Sequence, residues 1–314
     1  MKVFLFPGQG SQEVGMGADL FKSDAVFRGW VALASELVGE DLEPLCLRGP
    51  EKKLVRTRLL QPLLVAIALG YHRQLNERGV KPDLVAGHSL GEIAALAAAG
   101  VIAPETAVRL AAKRGELMDE AAARVEGGML AVTLEDRSGL MAWLAAHQPA
   151  NEVVLANDNA PTQVVLSGHR TVLAACAEFI TNGKLGRSRL LPVSGPWHSP
   201  FMAEAAAHFG AWLGRVPMQA PRLPILFNVS GAPAESPEEI RAHLGQALAR
   251  PVRWTACMAA IRAREPQLLF EVGPGGVLAA LARANGFGEA IHILRVNNLR
   301  GVELAAKTVT GADS

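Results

Sequence analysis

The sequence predicts an α/β protein: a parallel sheet covered on both faces, with a small ferredoxin-like unit inserted into it. Three observations predict this. Short apolar runs that end on glycine turns, Val3–Phe6 before Pro7-Gly8-Gln9-Gly10 and Asp83–Ala86 before Gly87, alternate with long helical patterns. Between residues 125 and 193 the rhythm becomes β-α-β-β-α-β. Half of the 314 residues are hydrophobic and 19% are charged, which suits a substantial core and excludes global disorder.

Each element has a local reason. Gln61–Glu77 reads as a helix with Pro62 in its first turn, where the missing N–H has no intrahelical partner to lose. After Gly91 an Ala-rich helix runs to Ala99 and stops at Gly100; Pro104 opens another that runs to about Ala123. In the small unit, Gly128–Leu134, Val153–Ala156, Gln163–Ser167 and Arg189–Val193 read as strands, and Ser138–His147 and Thr171–Thr181 as helices. From Ser194 the helix-and-strand pattern returns, with Leu268–Val272 a strand before Gly273-Pro274-Gly275-Gly276. The chain thus divides into a body of residues 1–124 and 194–302, a subdomain of 125–193, and a tail of 303–314 expected to fray.

Composition removes several function classes. With 31 Lys and Arg against 30 Asp and Glu, the net charge of +1 lacks the cationic surplus of a nucleic-acid binder. No uncharged stretch reaches the ~18 residues of a membrane span, and the apolar start is too short for a signal peptide, so a soluble, cytoplasmic protein is expected. Cys46, Cys176 and Cys257 are far apart and odd in number, without a CxxC pair. They read as small buried hydrophobes; neither a disulfide framework nor a metal site is expected.

Gly87-His88-Ser89-Leu90-Gly91 fits G-x-S-x-G, which can hold a serine on a tight strand-to-helix turn. The helix that follows offers unpaired N–H groups beside Ser89, suited to an oxyanion. The competing reading is an ordinary glycine-flanked turn. A serine nucleophile needs a base. His72, His208 and His243 lie in helical patterns among polar neighbours and read as surface residues, while His147 and His169 end helices, where capping explains them. His292 alternates in a strand, and His88 should point away from the serine beside it. His198 differs, since it lies in the rigid loop Ser194-Gly195-Pro196-Trp197-His198-Ser199-Pro200 just after a strand. No acid announces itself as a third member, so a Ser-His dyad is expected. Arg114 sits in an apolar stripe with Leu110 and Met118, so either an internal carboxylate pairs it or it faces a cavity that receives an anion.

Together these pieces resemble the malonyl-CoA:acyl carrier protein transacylase family. Phe6-Pro7-Gly8-Gln9-Gly10-Ser11-Gln12, Gly87-His88-Ser89-Leu90-Gly91-Glu92 and Lys113-Arg114-Gly115 carry the likeness first. Ala156-Asn157-Asp158-Asn159-Ala160-Pro161-Thr162-Gln163-Val164-Val165, Trp197-His198-Ser199, Pro251-Val252-Arg253-Trp254 and Glu271-Val272-Gly273-Pro274-Gly275 follow in the family's order, to about residue 298. The resemblance implies a hydrolase-like α/β body with a ferredoxin-like subdomain, for fatty acid or polyketide synthesis. It implies that Ser89 attacks malonyl-CoA with His198 as base, and that the thiol of an acyl carrier protein then takes the malonyl group. The N–H groups of Gln9 and Leu90 would form the oxyanion hole, Arg114 would hold the malonyl carboxylate, and Asn157, Asn159 and Gln163 would help line the cleft. No cofactor is implied, and the family suggests a monomer.

Two departures stand out. Relatives orient the histidine through a glutamine carbonyl where this chain has Ala247, a change that spares the carbonyl. Trp197 stands where relatives often carry Ser or Phe; its bulk should favour malonyl over α-branched acyl groups, by the ~1–3 kcal/mol of a single pocket contact. Two other functions compete: a hydrolase that clears acyl groups from carrier proteins with the same Ser-His pair, and a silent carrier-docking module, against which the intact Ser89 and His198 argue. Carrier proteins are typically acidic, so the docking surface should be basic. Lys52-Lys53-Val55-Arg56-Arg58 and Lys184-Arg187-Arg189 are the candidates, against the plainer reading of solvated charged faces.

Overall fold

The computed structural model describes residues 1–147 and 152–311. The chain begins with β1 (Lys2–Phe6), α1 (Ala18–Ser23), α2 (Ala25–Val38), α3 (Leu42–Arg48), α4 (Glu51–Leu54), α5 (Thr57–Glu77), β2 (Leu84–Gly87), α6 (Gly91–Ala98) and α7 (Pro104–Ala122). The small unit follows as β3 (Gly127–Leu134), α8 (Arg137–His147), β4 (Val153–Ala160), β5 (Gln163–His169), α9 (Arg170–Asn182) and β6 (Gly186–Leu190). The remainder is α10 (Ala203–Leu213), β7 (Ile225–Leu226), α11 (Pro237–Ala247), α12 (Trp254–Arg262), β8 (Leu268–Val272), α13 (Val277–Ala284), β9 (His292–Val296) and α14 (Leu299–Thr310).

Five strands form a parallel sheet in the order β7-β2-β1-β8-β9, with the first strand of the chain at its centre. Strand alternation then divides the core. Phe4, Phe6, Val85 and Phe270 join a cluster with helices α2, α5, α6, α7 and α10 on one face. Val3, Leu5, Leu84 and Leu269 join a second cluster with α12 and α13 on the other. Both faces are covered, as a parallel sheet requires.

The small sheet is antiparallel, in the order β4-β5-β3-β6, which is the ferredoxin-like arrangement. Leu130, Val132, Val164 and Leu166 pack beneath α8 and α9 with Leu140, Leu144, Leu173 and Ile180. Its opposite face turns toward the body. Strand β4 is tied there through Val252, whose N–H donates to the Ala156 carbonyl and whose carbonyl accepts from Asp158.

Several expectations are corrected. Helix α5 starts at Thr57, so Pro62 lies in its second turn. Burial of Thr57, Leu59 and Leu60 extends the helix and outweighs the one backbone bond that Pro62 forfeits. Strand β4 continues through Asn157-Asp158-Asn159 to Ala160 despite the poor strand propensity of Asn and Asp, because two register shifts and the Val252 pairing accommodate them. Strand β6 lies at Gly186–Leu190, earlier than expected, and the proline at 192 ends the pairing. The tail expected to fray past Val302 is a helix, capped by the Asn298 side chain and held by buried Val302 and Ala305. His72 is no surface residue; it packs edge-on against Phe4 and Phe6. His243 stacks on Phe227, and His169 packs against Phe201 without capping through its side chain. The cap expected of His147 lies outside the described residues. Cys46, Cys176 and Cys257 are free and buried, as expected.

Gly29 offers a check on α2. It is exposed inside the helix, and a Cβ there would meet nothing within 4 Å. Gly29→Ala should therefore raise the unfolding free energy by about 0.5–1 kcal/mol, read as a higher urea midpoint at unchanged m-value.

Candidate active site

Ser89 stands between β2 and α6 with a φ of 51°, in the left-handed region that a non-glycine residue enters at a cost of about 1–3 kcal/mol. The flanking glycines make this turn possible. A Cβ on Gly87 would lie 1.9 Å from the Gly91 carbonyl carbon, and a Cβ on Gly91 would lie 2.0 Å from the Phe6 carbonyl oxygen. The β1 turn meets the same limit, since a Cβ on Gly8 would come within 2.5 Å of the His88 carbonyl oxygen. Gln9 is thereby brought against the serine turn. Among the described residues, the N–H groups of Gln9 and Leu90 have no hydrogen-bond partner.

His198 Nε2 lies 2.7 Å from Ser89 Oγ. Its Nδ1 lies 2.8 Å from the Ala247 carbonyl oxygen and 3.2 Å from that of Arg250. A backbone carbonyl only accepts, so Nδ1 carries the proton and Nε2 presents its lone pair to the serine. His198 also has a positive φ, 58°, so both members of the pair occupy strained backbone. Burial, the charge of Arg114 and then His88 lower its pKa to about 3, against the bonds from Ala247 and Arg250, which raise it.

Arg114 projects from α7 and donates from Nη2 to Ser89 Oγ at 3.1 Å. It is 3% exposed, yet none of the ion pairs among the described residues includes it. The carboxylate that balances it electrostatically is Glu92, buried in the first turn of α6. Burial pushes Glu92 up and Arg114 down, and each charge opposes the other's shift. Both readings of Arg114 from the sequence therefore hold in part: a carboxylate is nearby, and the guanidinium still faces a cavity.

That cavity, of about 290 Å³, brings most of the expected residues together: Gln9, Ser89, Arg114, His198, Asn157, Asn159, Gln163 and Trp197 all line it. Asn157, Asn159 and Gln163 come from the small sheet's inner side, with Met129, Ala131, Val165 and Arg189 beside them. Trp197 is buried, and its ring with Ala122 closes over Gly195. Leu90 and Ala247 stand outside the lining. His88 turns from the serine, bonding Asn159 Oδ1 at 2.8 Å and packing edge-on against Trp254. Of the two basic clusters, Arg189 stands at this cavity. Arg56 and Arg58 line a separate groove of about 610 Å³ with Arg109 and Lys113, away from the serine.

Sequence reading missed two residues. Asn228, two residues past β7, accepts from the Ser89 N–H at 2.6 Å and donates to the Gly87 carbonyl at 2.7 Å. Glu92 accepts from the Asn228 backbone N–H at 2.6 Å. Glu92 ends the Gly87-His88-Ser89-Leu90-Gly91-Glu92 motif, but nothing local marks its partner. No helix among the described residues is long and apolar enough to cross a membrane, and no cluster of metal-ligating side chains occurs among them.

Comparison with known proteins places this geometry. The acyl transferase domain family matches residues 3–293. The malonyl CoA-acyl carrier protein transacylase of Synechocystis is 38% identical over 89% of this chain and 92% of its own length, and that of Escherichia coli K12 36% identical over 89% and 91%. The polyketide biosynthesis protein ThaF of Burkholderia thailandensis is 39% identical over 90% of this chain, which spans about a quarter of ThaF. Among solved structures, the Coxiella burnetii transacylase superposes with a TM-score of 0.92 at 31% identity, covering 98% of each chain. PlMCAT, a malonyl-transacylase solved in complex with the type II polyketide acyl carrier protein AntF, gives 0.91 at 34% identity, covering 98% of this chain and 99% of its own. With these matches spanning nearly its whole length, the chain belongs to the malonyl-CoA:acyl carrier protein transacylase family of acyl transferases.

Proposed function

We propose that this chain moves a malonyl group from malonyl-CoA to the phosphopantetheine thiol of an acyl carrier protein through a malonyl-serine intermediate. The observation that carries the reading is Arg114, a buried guanidinium without an ion-pair partner among the described residues, 3.1 Å from Ser89 Oγ. A general acyl hydrolase gains little from such a group, whereas a substrate with a free carboxylate needs it.

The steps follow from the geometry. Ser89 Oγ attacks the thioester carbonyl while His198 Nε2 takes its proton, and the N–H groups of Gln9 and Leu90 receive the oxyanion. The tetrahedral intermediate collapses, the C–S bond breaks, and His198 returns the proton to the departing CoA sulfur. Malonate remains as an ester on Ser89 with its carboxylate on Arg114. The carrier's thiol then gives its proton to His198 and attacks the ester, and the proton passes back to Ser89 Oγ. The malonyl carboxylate also tunes the base, because it offsets the guanidinium charge that lowers His198. Ala247 holds the ring by its carbonyl, Asn157, Asn159 and Gln163 line the acyl site, and Trp197 narrows it against α-branched groups.

The small subdomain, taken as residues 125–193, forms the cavity's roof, and its Arg187 and Arg189 are the proposed landing point for an acidic carrier. Both are exposed, and Arg189 stands at the cavity. Leu190, next to Arg189, is also exposed and adds an apolar contact. Fatty acid and polyketide carriers share this chemistry. The protein is proposed to work as a cytoplasmic monomer.

Four measurements test this reading. Mixing with malonyl-CoA should add one malonyl mass to the chain, and Ser89→Ala should remove it. Arg114→Ala should slow malonyl transfer about 10²–10³-fold, the cost of leaving a buried carboxylate unpaired, and leave acetyl transfer at its low level; unchanged malonyl transfer would rule out the clamp. Because His198 is held low, its neutral form persists far below the ordinary histidine range. The rate of serine malonylation should therefore stay level as pH falls from 8 through 6, and its acid limb should move upward in Arg114→Ala. In the fourth measurement, Arg187→Glu should raise KM for the carrier several-fold, with that for malonyl-CoA unchanged.

A further inference from the structure

The left-handed backbone at Ser89 needs something to hold it, and the glycines only permit it. On one side β1 holds β2 as far as the His88 N–H, which donates to the Phe6 carbonyl at 3.0 Å, but on the other side the sheet stops short. Strand β7 pairs with β2 only at Val85↔Ile225 and Ala86↔Leu226, so the ladder ends before the serine turn is reached. Asn228 continues that ladder with its side chain. Its Oδ1 accepts from the Ser89 N–H at 2.6 Å, and its Nδ2 donates to the Gly87 carbonyl at 2.7 Å, one bond on each side of His88. The amide orientation is fixed by its partners, since one can only donate and the other only accept. Asn228 is itself fixed: its N–H donates to Glu92 Oε1 at 2.6 Å, and its carbonyl accepts from Arg253 at 2.9 Å. It is 1% exposed, so water cannot stand in for it.

We infer that Asn228 is a positioning residue for the acyl transfer: its carboxamide clamps the backbone on both sides of His88, sets the angle from which Ser89 Oγ meets His198 and the incoming acyl carbon, and occupies the Ser89 N–H. This deepens the proposed function and rests on Ser89 as the acylated residue. A consequence is that the serine's own N–H is spent on Asn228 and is no oxyanion donor, so that stabilisation falls to Gln9 and Leu90.

The test uses the full chain and two readouts. A fluorophosphonate probe, followed by intact mass, reports the reactivity of Ser89 without any thioester; malonyl-CoA titration reports kcat and KM. Asn228→Leu keeps the side chain's branching and heavy-atom count and removes both bonds. It should slow fluorophosphonate labelling about 100-fold and lower kcat by a like factor, with KM for malonyl-CoA unchanged because Arg114 and the cavity lining are untouched. Asn228→Asp keeps the acceptor for Ser89 but sets an oxygen against the Gly87 carbonyl, and should fall between the two. Rates are normalised to the folded fraction from a thermal melt. Wild-type labelling by Asn228→Leu, or a loss equal to the unfolded fraction, overturns the inference. Should the leucine variant not fold, Asn228→Asp decides: tenfold slower labelling supports the clamp and an unchanged rate overturns it. A wild-type chain that labels with fluorophosphonate and accepts no malonyl overturns the proposed function, while slowed labelling in the variants still supports the clamp.

Discussion

The turn after β1 and the turn after β2 lie closer together than side chains would allow, and the reacting groups take their positions from that approach. Gly8, Gly87 and Gly91 face backbone atoms at distances a methyl group could not occupy. The result is a serine held in left-handed backbone, with the turn that carries Gln9 pressed against its own. These two strands are neighbours at the centre of a parallel sheet buried on both faces. The approach is therefore backed by the whole core, which lets strain of about 1–3 kcal/mol persist at Ser89 and again at His198.

Charge follows from the same closeness. Arg114, Glu92 and His198 are all buried around one hydroxyl, and each alters the others. Glu92 balances the guanidinium without an ion pair, which leaves Arg114 free to face the cavity. The imidazole carries the consequence, because a nearby positive charge makes it a poorer proton acceptor until an anion arrives. Acyl binding and base strength are thus coupled through Arg114.

Much of this was legible in the sequence, and what was not shares one physical character. Ser89 announced itself because its turn is built from adjacent residues, and His198 because a proline-flanked loop follows a strand. Asn228 and Glu92 act together across 136 positions, with β7, only two residues long, as the sole local sign of where Asn228 would fall. Local propensity misled in the same way elsewhere. Asn157-Asp158-Asn159 is poor strand sequence, yet pairing with Val252 makes it strand; Pro62 looked like a helix start, yet burial of the residues before it carries the helix backward. His72, among polar neighbours in sequence, lies against two phenylalanines of β1 in space. The family likeness supplied Ala247, whose carbonyl role leaves no trace in its side chain.

The depressed basicity of His198 bears on why such a site would pass an acyl group to a thiol and not to water. Both acceptors would have to surrender a proton to the same Nε2. A thiol does so from a pKa of about 8.5 and water only from a far higher one, so the two acceptors differ by many orders of magnitude in what they demand of a base. Burial keeps the imidazole a weak base, and the Ala247 and Arg250 carbonyls keep it aimed. In the proposed reaction the arginine therefore does two jobs. It selects a carboxylate-bearing acyl group, and once that carboxylate is seated its offset charge makes His198 the better base, so proton transfer is tied to a bound malonyl group.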